Sequence, residues 1–282
     1  SDLAIHGLKH LFNTGSLAKD DFDSLLVVTQ SPDHFIPGTS SVIQGELELK
    51  EDLLCMDITQ GCAGYVVGLM QAFKLLQQPS INKVVLINGD VLSRKVSIHD
   101  RNSFPLIGDA LSITVIENKD SDKVYANIKM DGRGRDALVI PAGGFRIPSN
   151  KQTSALKDVG DGNMRSEDHL RMDGAAVFNF VQSKVPGMID ELLKSSNTSL
   201  QEIDYFAFHQ PNKFMLEKLA DKMGVPYEKM PNNIVEKFGN SSGVTIPIVL
   251  AYNLREKLTN GKIKVCLAGF GVGLTWGSMI LN

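Results

Sequence analysis

Apolar residues along this chain first stand out as short continuous runs flanked by polar segments. Each run is four to six residues long and contains mostly aliphatic or aromatic side chains, without strict alternation of polar and apolar positions. Such runs predict strands that are buried on both faces of a sheet. The predicted strands span residues 25–29, 53–58, 84–87, 205–208 and 264–268.

Between these runs, apolar residues recur at intervals of three and four positions. In one segment they occupy Val244, Ile248 and Ala251, which places them on one face of a helix. Because strands alternate with helices, we predict an α/β fold with mostly parallel sheets. The predicted helices span residues 63–76, 174–193, 212–223 and 244–258.

The chain also repeats its own pattern. The segment Phe-Asp-Ser-Leu-Leu around Asp23 resembles Ile-Asp-Tyr-Phe-Ala around Asp204, an offset of 204 − 23 = 181 residues. The same offset places the predicted strand that begins at Val84 on the one that begins at Val265. We therefore predict two similar halves related by duplication. They span residues 1–120 and 121–282.

The same offset leaves part of the second half without a counterpart. The second half contains a predicted strand over residues 123–130 and a helix from about Asp173, and subtracting 181 from these positions gives numbers below 1. We therefore expect the first half to be incomplete at its start, and the parent protein to carry a further N-terminal segment with a strand.

Composition narrows the classes of function. The 29 Lys and Arg residues against 32 Asp and Glu give a net charge of −3, so the chain lacks the basic surface that nucleic acids require. The longest apolar runs are far shorter than the ~20 residues that cross a bilayer, so no membrane association is expected. Three widely spaced cysteines without a CxxC pair predict neither a zinc site nor disulfides, and indicate a reducing cytoplasm.

One of these cysteines lies where a nucleophile would be expected. Cys62 follows a predicted strand and a Gln-Gly corner, and it precedes the helix predicted over residues 63–76. The start of a helix lowers a thiol pKa and offers N–H donors to an oxyanion, so we expect Cys62 to be a reactive thiol. The structural alternative is a small buried cysteine at a strand–helix junction.

Two further polar residues occupy comparable junctions in the second half. His209 ends a predicted strand, and Asn240 lies in a glycine-bounded loop before a predicted helix. Strand ends line the ligand crevice in such sheets, so Cys62, His209 and Asn240 are predicted to converge. The alternatives are a capping or core histidine and an asparagine that fills a turn.

A cysteine peptidase is a distant alternative on these residues. Gln60-Gly61-Cys62-Ala63-Gly64 approaches the Q-A-C-x-G peptidase pattern, His10 lies 62 − 10 = 52 residues upstream, and the order of Cys62, His209 and Asn240 matches that of papain. Neither peptidase fold predicts an internal repeat.

Four motifs together resemble one enzyme family. They are Asp57-Ile-Thr-Gln-Gly-Cys62-Ala-Gly, His209-Gln-Pro-Asn212, Gly239-Asn240-Ser-Ser-Gly and Gly269-Phe-Gly-Val-Gly-Leu-Thr-Trp-Gly277. In this order they are similar to the motifs of β-ketoacyl-[acyl carrier protein] synthase III, the initiating condensing enzymes of the thiolase superfamily. The resemblance implies a duplicated, thiolase-like α/β/α/β/α layered fold, in agreement with the 181-residue offset.

The resemblance also implies a reaction. Cys62 would take an acyl group from a coenzyme A (CoA) thioester, with its own N–H and that of Val272 as the oxyanion hole. His209 and Asn240 would then stabilise the enolate formed as malonyl-acyl carrier protein loses carbon dioxide, and that carbanion would attack the acyl-enzyme. Neither a metal nor a cofactor is implied beyond the CoA thioester, which is a substrate.

Further positions follow from the resemblance alone. Ile36 would close the acyl pocket of the neighbouring subunit in a homodimer, and Arg101 would lie near the CoA nucleotide. The residues expected to contact substrate or CoA are Ile36, Arg101, Gly174, Phe178, Asn212 and Phe270. The acidic carrier protein would dock on a local basic patch, for which the candidates are Lys213, Lys218 and Lys222.

Two other functions remain open for a protein of this kind. Cys62 could pass its acyl group to an oxygen or nitrogen nucleophile without decarboxylation, or the chain could serve as a non-catalytic partner subunit. The presence of Cys62, His209 and Asn240 together favours a catalytic protein.

Overall fold

The computed structural model describes residues 1–119 and 123–282. The predicted boundary between the halves, at residues 120 and 121, lies outside this part of the chain. Within the described residues, no helix combines the length and apolarity that crossing a membrane requires.

The first sheet contains four strands in the order β2-β1-β3-β4. The first three strands in this order are parallel, and β4 runs antiparallel to β3. The strands are β1 (Ser24–Val28), β2 (Leu54–Ile58), β3 (Lys83–Asp90) and β4 (Ala110–Glu117).

The remaining strands form a second four-stranded sheet and two small ribbons. The strands are β5 (Tyr125–Met130), β6 (Leu138–Val139), β7 (Lys157–Asp158), β8 (Met164–Arg165), β9 (Arg171–Met172), β10 (Tyr205–Phe208), β11 (Val265–Gly271) and β12 (Thr275–Leu281). The second sheet has the order β10-β11-β12-β5, and the ribbons pair β6 with β9 and β7 with β8.

Both large sheets are mixed. The first is mostly parallel, as predicted, whereas for the second sheet the prediction of mostly parallel strands was wrong. In the second sheet β10 and β11 are parallel, whereas β12 is antiparallel to both β11 and β5. The turn over residues 272–274 joins β11 to β12 directly, and so short a connection permits only an antiparallel pair.

The helices complete a five-layered arrangement. Helices α1 and α2 pack on the outer side of the first sheet, α4 and α5 pack on the second, and α3 contacts strands of both sheets between them. The layered α/β/α/β/α fold is therefore confirmed. The helices are α1 (Asp2–Asn13), α2 (Thr39–Glu46), α3 (Gly64–Leu75), α4 (Gly174–Ser195), α5 (Lys213–Met223), α6 (Ile234–Phe238), α7 (Thr245–Ile248) and α8 (Arg255–Asn260).

The 181-residue offset recurs in the strand register. Ser24 of β1 is paired with Val84 of β3, and Tyr205 of β10 with Val265 of β11, so both partners shift by 181. The offset fails at β2, because 54 + 181 = 235 falls in helix α6.

Even the hydrogen bonds before these strands are repeated. The N–H of Asp23 donates to the Lys83 carbonyl at 2.9 Å, and the N–H of Asp204 donates to the Lys264 carbonyl at 2.9 Å. In turn, each aspartate carboxylate accepts the N–H of the same lysine, at 3.2 Å for Lys83 and 2.7 Å for Lys264.

Two sequence predictions need correction. Strand β2 is not buried, because it lies at an edge of its sheet and exposes Leu54 and Met56. The single helix predicted over residues 244–258 is instead broken into α7, a π-helical turn (Val249–Asn253) and α8. Pro247 lies inside this segment, and its missing N–H removes one bond of a regular helix.

Candidate active site

Cys62 lies in the turn between β2 and α3, against the end of β11. A Cβ atom on Gly271 would lie 2.7 Å from the Cys62 sulfur, and one on Gly269 would lie 2.7 Å from the Cys62 carbonyl oxygen. Glycine at these two positions therefore lets β11 pass directly beside the thiol, which explains part of the glycine-rich motif near the C-terminus.

The pKa of Cys62 is raised to about 11, chiefly because burial penalises the thiolate. The backbone N–H groups of Val272 and Cys62 and the Ser242 hydroxyl oppose this rise in pKa, while the negative charge of Asp90 adds to it. The expectation of a lowered pKa was therefore wrong, because burial outweighs the helix start. The two N–H groups predicted for an oxyanion hole thus both act to lower the pKa of this sulfur.

His209 follows β10 and is buried. Its Nδ1 lies 2.8 Å from the Thr245 hydroxyl, and its ring packs edge-on against Phe270 with 5.7 Å between centroids. Burial lowers the pKa of His209 to about 4, against an opposing effect of the Ser242 carbonyl. The imidazole is therefore neutral at physiological pH.

Asn240 lies where two loops cross closely. Its N–H donates to the Leu106 carbonyl at 2.6 Å, and its carbonyl accepts the Gly108 N–H at 3.1 Å. A Cβ on Gly108 would lie 2.1 Å from the Phe238 carbonyl oxygen, so glycine is required for this crossing. The side-chain Oδ1 of Asn240 accepts the Ser242 N–H at 3.0 Å, which leaves its NH2 group as a donor for a ligand.

Ser242 connects the three predicted catalytic residues. Its hydroxyl lies 4.0 Å from the Cys62 sulfur, and its N–H holds the Asn240 side chain. Its carbonyl accepts the Thr245 hydroxyl at 3.0 Å, and that hydroxyl contacts His209. The backbone of Ser242 is left-handed, with φ +58°, which is uncommon for a residue other than glycine and is typical of functional sites.

A buried polar group lies behind this turn. Asp90, at the end of β3, accepts hydrogen bonds from Thr29, Ser31 and both the backbone and the side chain of Gln30. Burial raises the pKa of Asp90, and the bonds from its neighbours lower it again in part. The Gln30 side chain also donates to the Ser242 hydroxyl at 3.0 Å.

A cavity of about 390 Å³ opens next to the turn that carries Cys62. Its wall includes Gly61, the residue before Cys62, and Val272. The remaining lining is a mixture of polar and apolar side chains from both halves, among them Gln30, Met130 and Leu274.

The other predicted site residues lie on several different elements of the fold. Phe178, on the first turns of α4 after Gly174, stacks on Phe214 of α5 with 5.9 Å between centroids. The Asn212 side chain caps α5 by accepting the Met215 N–H at 2.8 Å. Phe270 is buried against His209.

Three of them, Gly174, Arg101 and Ile36, lie on the surface. Arg101 is exposed, and its backbone N–H donates to the Asn163 side chain at 3.0 Å. Ile36 is 84% exposed, next to the exposed Phe35, which packs on Phe145 with 4.9 Å between ring centroids.

Residues 1–119 and 123–282 contain no group of three or more His, Cys, Asp or Glu side chains that could hold a metal ion.

Sequence reasoning missed Gln30, Ser242 and Thr245 as parts of this site. A signal existed for Asp90, because a carboxylate that ends a buried apolar strand needs partners. Gln30, Ser242 and Thr245 carry no such signal, because polar residues are frequent in loops.

Comparison with known proteins agrees with the four motifs. Residues 56–134 match the family described as 3-Oxoacyl-[acyl-carrier-protein (ACP)] synthase III, and residues 193–282 match the description of its C-terminal part. The Putative 3-oxoacyl-[acyl-carrier-protein] synthase 3 of Campylobacter jejuni is 34% identical over 282 residues, which is 100% of this chain and 78% of that protein. The Beta-ketoacyl-[acyl-carrier-protein] synthase III of Clostridium perfringens is 31% identical over 284 residues, 100% of this chain and 84% of that protein.

Solved structures agree as well. A 3-oxoacyl-(acyl-carrier-protein) synthase III crystal structure superposes with a TM-score of 0.94 at 32% identity, covering 100% of this chain and 84% of that one. The 3-oxoacyl-(acyl-carrier protein) synthase of Burkholderia xenovorans gives 0.89 at 33% identity, over 99% and 78% of the two chains. The chain therefore belongs to the 3-oxoacyl-[acyl-carrier-protein] synthase III family of enzymes and has its thiolase fold.

Proposed function

We propose that this enzyme loads an acyl group from acyl-CoA onto Cys62 and condenses it with malonyl-acyl carrier protein, giving a 3-oxoacyl product and carbon dioxide. The observation that carries the proposal is the Ser242 turn, which links a half-buried thiol, a neutral imidazole and an asparagine amide. The family membership supports the same reaction.

In the first half-reaction, the Cys62 sulfur attacks the thioester carbonyl of acyl-CoA. The new carbon–sulfur bond places negative charge on the carbonyl oxygen, where the N–H groups of Cys62 and Val272 donate hydrogen bonds. The bond to CoA then breaks, and the CoA thiolate takes up the proton that Cys62 gave up. The acyl group remains on Cys62 as a thioester.

In the second half-reaction, the malonyl group loses carbon dioxide, and its electron pair moves into an enolate. The NH2 group of Asn240 and the Nε2–H of neutral His209 donate to the enolate oxygen. For this step the Thr245 hydroxyl turns its single hydrogen from the Ser242 carbonyl to Nδ1 of His209, which keeps the ring proton on Nε2. The enolate carbon attacks the acyl-enzyme, and the Cys62 thiolate leaves.

The same proposal covers partners and compartment. No cofactor is needed, because the thioester substrates supply the reacting groups. The carrier protein docks near Lys213, Lys218 and Lys222 on α5, the helix that follows His209. The protein works in the cytoplasm, where its three free cysteines stay reduced.

We further propose a homodimer. The first sheet presents β2 at its edge with Leu54 and Met56 exposed, and Ile36 and Phe35 are exposed large apolar residues close to it in sequence. Apolar groups on an unpaired strand edge are typical of an association surface. In the dimer, Ile36 closes the acyl pocket of the second subunit.

The test follows the two half-reactions separately. Radiolabelled acyl-CoA should label the protein but not Cys62→Ala, and adding malonyl-acyl carrier protein should release carbon dioxide together with a labelled 3-oxoacyl product. Labelling without carbon dioxide release would replace the proposal with simple acyl transfer. Absence of labelling by acyl-CoAs of any length would favour a non-catalytic partner subunit.

A further inference from the structure

The side chains behind the nucleophile form a hydrogen-bonded series whose directions can be assigned. The backbone N–H of Gln30 donates to one oxygen of Asp90, and the Gln30 side chain presents its NH2 group to the other, at 3.1 Å. The same nitrogen lies 3.0 Å from the Ser242 hydroxyl oxygen and donates its second hydrogen there.

This arrangement limits where the Ser242 hydroxyl hydrogen points. Because the oxygen already accepts from Gln30, its own hydrogen remains for donation, either to Asp90, whose pKa the Ser242 side chain lowers, or to Cys62. The Cys62 sulfur lies 4.0 Å away in the donor direction. The series therefore runs from Asp90 through Gln30 and Ser242 to Cys62.

The packing keeps this series in place. Asp90 is 1% exposed and accepts three further hydrogen bonds, so its carboxylate cannot turn away. A Cβ on Gly61 would lie 2.5 Å from the Gln30 Oε1 atom, so this glycine makes room for the amide. The left-handed backbone at Ser242 aims the hydroxyl into the site.

We propose that Ser242 is a further catalytic residue, which donates a hydrogen bond to the Cys62 sulfur whenever that sulfur is negatively charged, and that Gln30 and Asp90 position it. The two occasions, before acylation and when Cys62 leaves the condensed product, rest on the proposed function. The hydroxyl keeps its proton throughout, so no bond is made or broken at Ser242.

Several neighbouring groups raise or lower the pKa of the Cys62 thiol, and each comes from a different element. Asp90, from the end of β3, is the charged group whose field raises the pKa of Cys62, and the Ser242 hydroxyl lowers it. His209, from the end of β10, is neutral at physiological pH, since burial lowers its pKa to about 4. The end of β11 contributes the Val272 N–H, which lowers the pKa of Cys62.

The experiment measures alkylation of Cys62 by iodoacetamide as a function of pH, read on the Cys62 peptide by mass spectrometry. Ser242→Gly removes the hydroxyl and still accommodates φ +58°, and Gln30→Met removes the amide at nearly the same length. The control is Ser241→Ala, because the neighbouring Ser241 hydroxyl is buried and has no hydrogen-bond partner among the described residues.

We expect Ser242→Gly to raise the alkylation midpoint by about one pH unit. At a fixed pH below the midpoint, the thiolate becomes about tenfold scarcer but more nucleophilic, so the rate should fall about threefold. Gln30→Met should shift the midpoint in the same direction, and the double variant should match Ser242→Gly alone, because the two residues act in series. Ser241→Ala should behave as wild type.

A wild-type midpoint in Ser242→Gly, or shifts of the two single variants that add in the double variant, would overturn the proposal. A failure of Ser242→Gly to fold would show in its thermal transition. In that case a wild-type alkylation midpoint in Gln30→Met would overturn the proposal. Alkylation requires neither acyl-CoA nor carrier protein, so its outcome is independent of whether condensation is observed.

Discussion

Burial sets the protonation of the two titratable side chains that meet at the Ser242 turn. It raises the pKa of Cys62 to about 11 and lowers that of His209 to about 4, so both groups are uncharged near neutrality. A cysteine peptidase depends on a thiolate next to an imidazolium, the opposite arrangement. A neutral imidazole that donates a hydrogen bond suits a site in which negative charge appears on substrate oxygens during the reaction.

The pKa of His209 has a consequence for stability. In the unfolded chain the His209 imidazole takes up a proton near pH 6.5, whereas in the folded chain it does so only near pH 4. The free energy of unfolding therefore decreases as the pH falls through this window. The shift corresponds to about 3 kcal/mol. We expect urea unfolding between pH 7 and 4 to show a loss of that order in wild type that is absent in His209→Gln. Equal pH dependence in both proteins would contradict a buried neutral imidazole.

Replacing Asn240 should affect the second half-reaction and leave the first unchanged. Its side chain is held by the Ser242 N–H and does not contact the sulfur of Cys62 through a hydrogen bond among the described residues. We expect Asn240→Ala to retain acylation by acyl-CoA and to lose about 10²-fold to 10³-fold in carbon dioxide release. A parallel loss of acylation would show that Asn240 acts on the nucleophile instead.

At the scale of whole elements, close backbone crossings determine the geometry of the site. Strand β11 passes Cys62 at a distance that only glycine permits at position 271. The crossing of the loop at Gly108 with the one at Gly239 fixes Asn240 in the same way, since a Cβ on Gly239 would lie 2.7 Å from the Gly108 nitrogen. Both crossings join segments that are distant in sequence.

Gly271→Ala tests this dependence. The added Cβ would lie 2.7 Å from both the Cys62 sulfur and its Cβ, so we expect more than tenfold slower acylation and a loss of about 1–3 kcal/mol in unfolding free energy. The matched control is Gly45→Ala in α2, where nothing lies within 4 Å, and it should stabilise the protein by roughly 0.5–1 kcal/mol without changing acylation. Normal acylation in Gly271→Ala would mean that β11 can move away from the thiol.

Sequence patterns predicted elements well where local preference and burial agree. Helices α3 and α5 begin and end within one residue of the predicted bounds. The edge position of β2 was not predictable, because an apolar run does not reveal whether a second chain or a helix will cover it. The link between Gln30 and Ser242 joins residues 212 positions apart, so it depends on tertiary packing that no local pattern encodes.

For the whole molecule, the exposed edge of the first sheet makes the dimer testable. We expect Met56→Lys on β2 to shift the protein toward monomer in light scattering after size exclusion, because the charge would be buried in the interface. Val115→Lys is the matched control, since β4 forms the opposite edge of the described sheet and Val115 is 39% exposed against 37% for Met56. If Val115→Lys dissociates the protein and Met56→Lys does not, the other edge is the interface.

The repeated register of β1 and β3 with β10 and β11 relates positions near the site in one half to positions in the other. The counterpart of Cys62 is residue 62 + 181 = 243, a glycine, and that of His209 is 209 − 181 = 28, the fully buried Val28. A Cβ at Gly243 would come within 2.9 Å of both the Gly61 carbonyl oxygen and the Asn88 side chain, so a second thiol has no room there. Glycine at this counterpart position lets the turn before α7 pack directly against the turn that carries Cys62. The two halves therefore contribute different residues to one place in the fold, Cys62 from the first and Ser242 from the second, and their corresponding positions are not interchangeable.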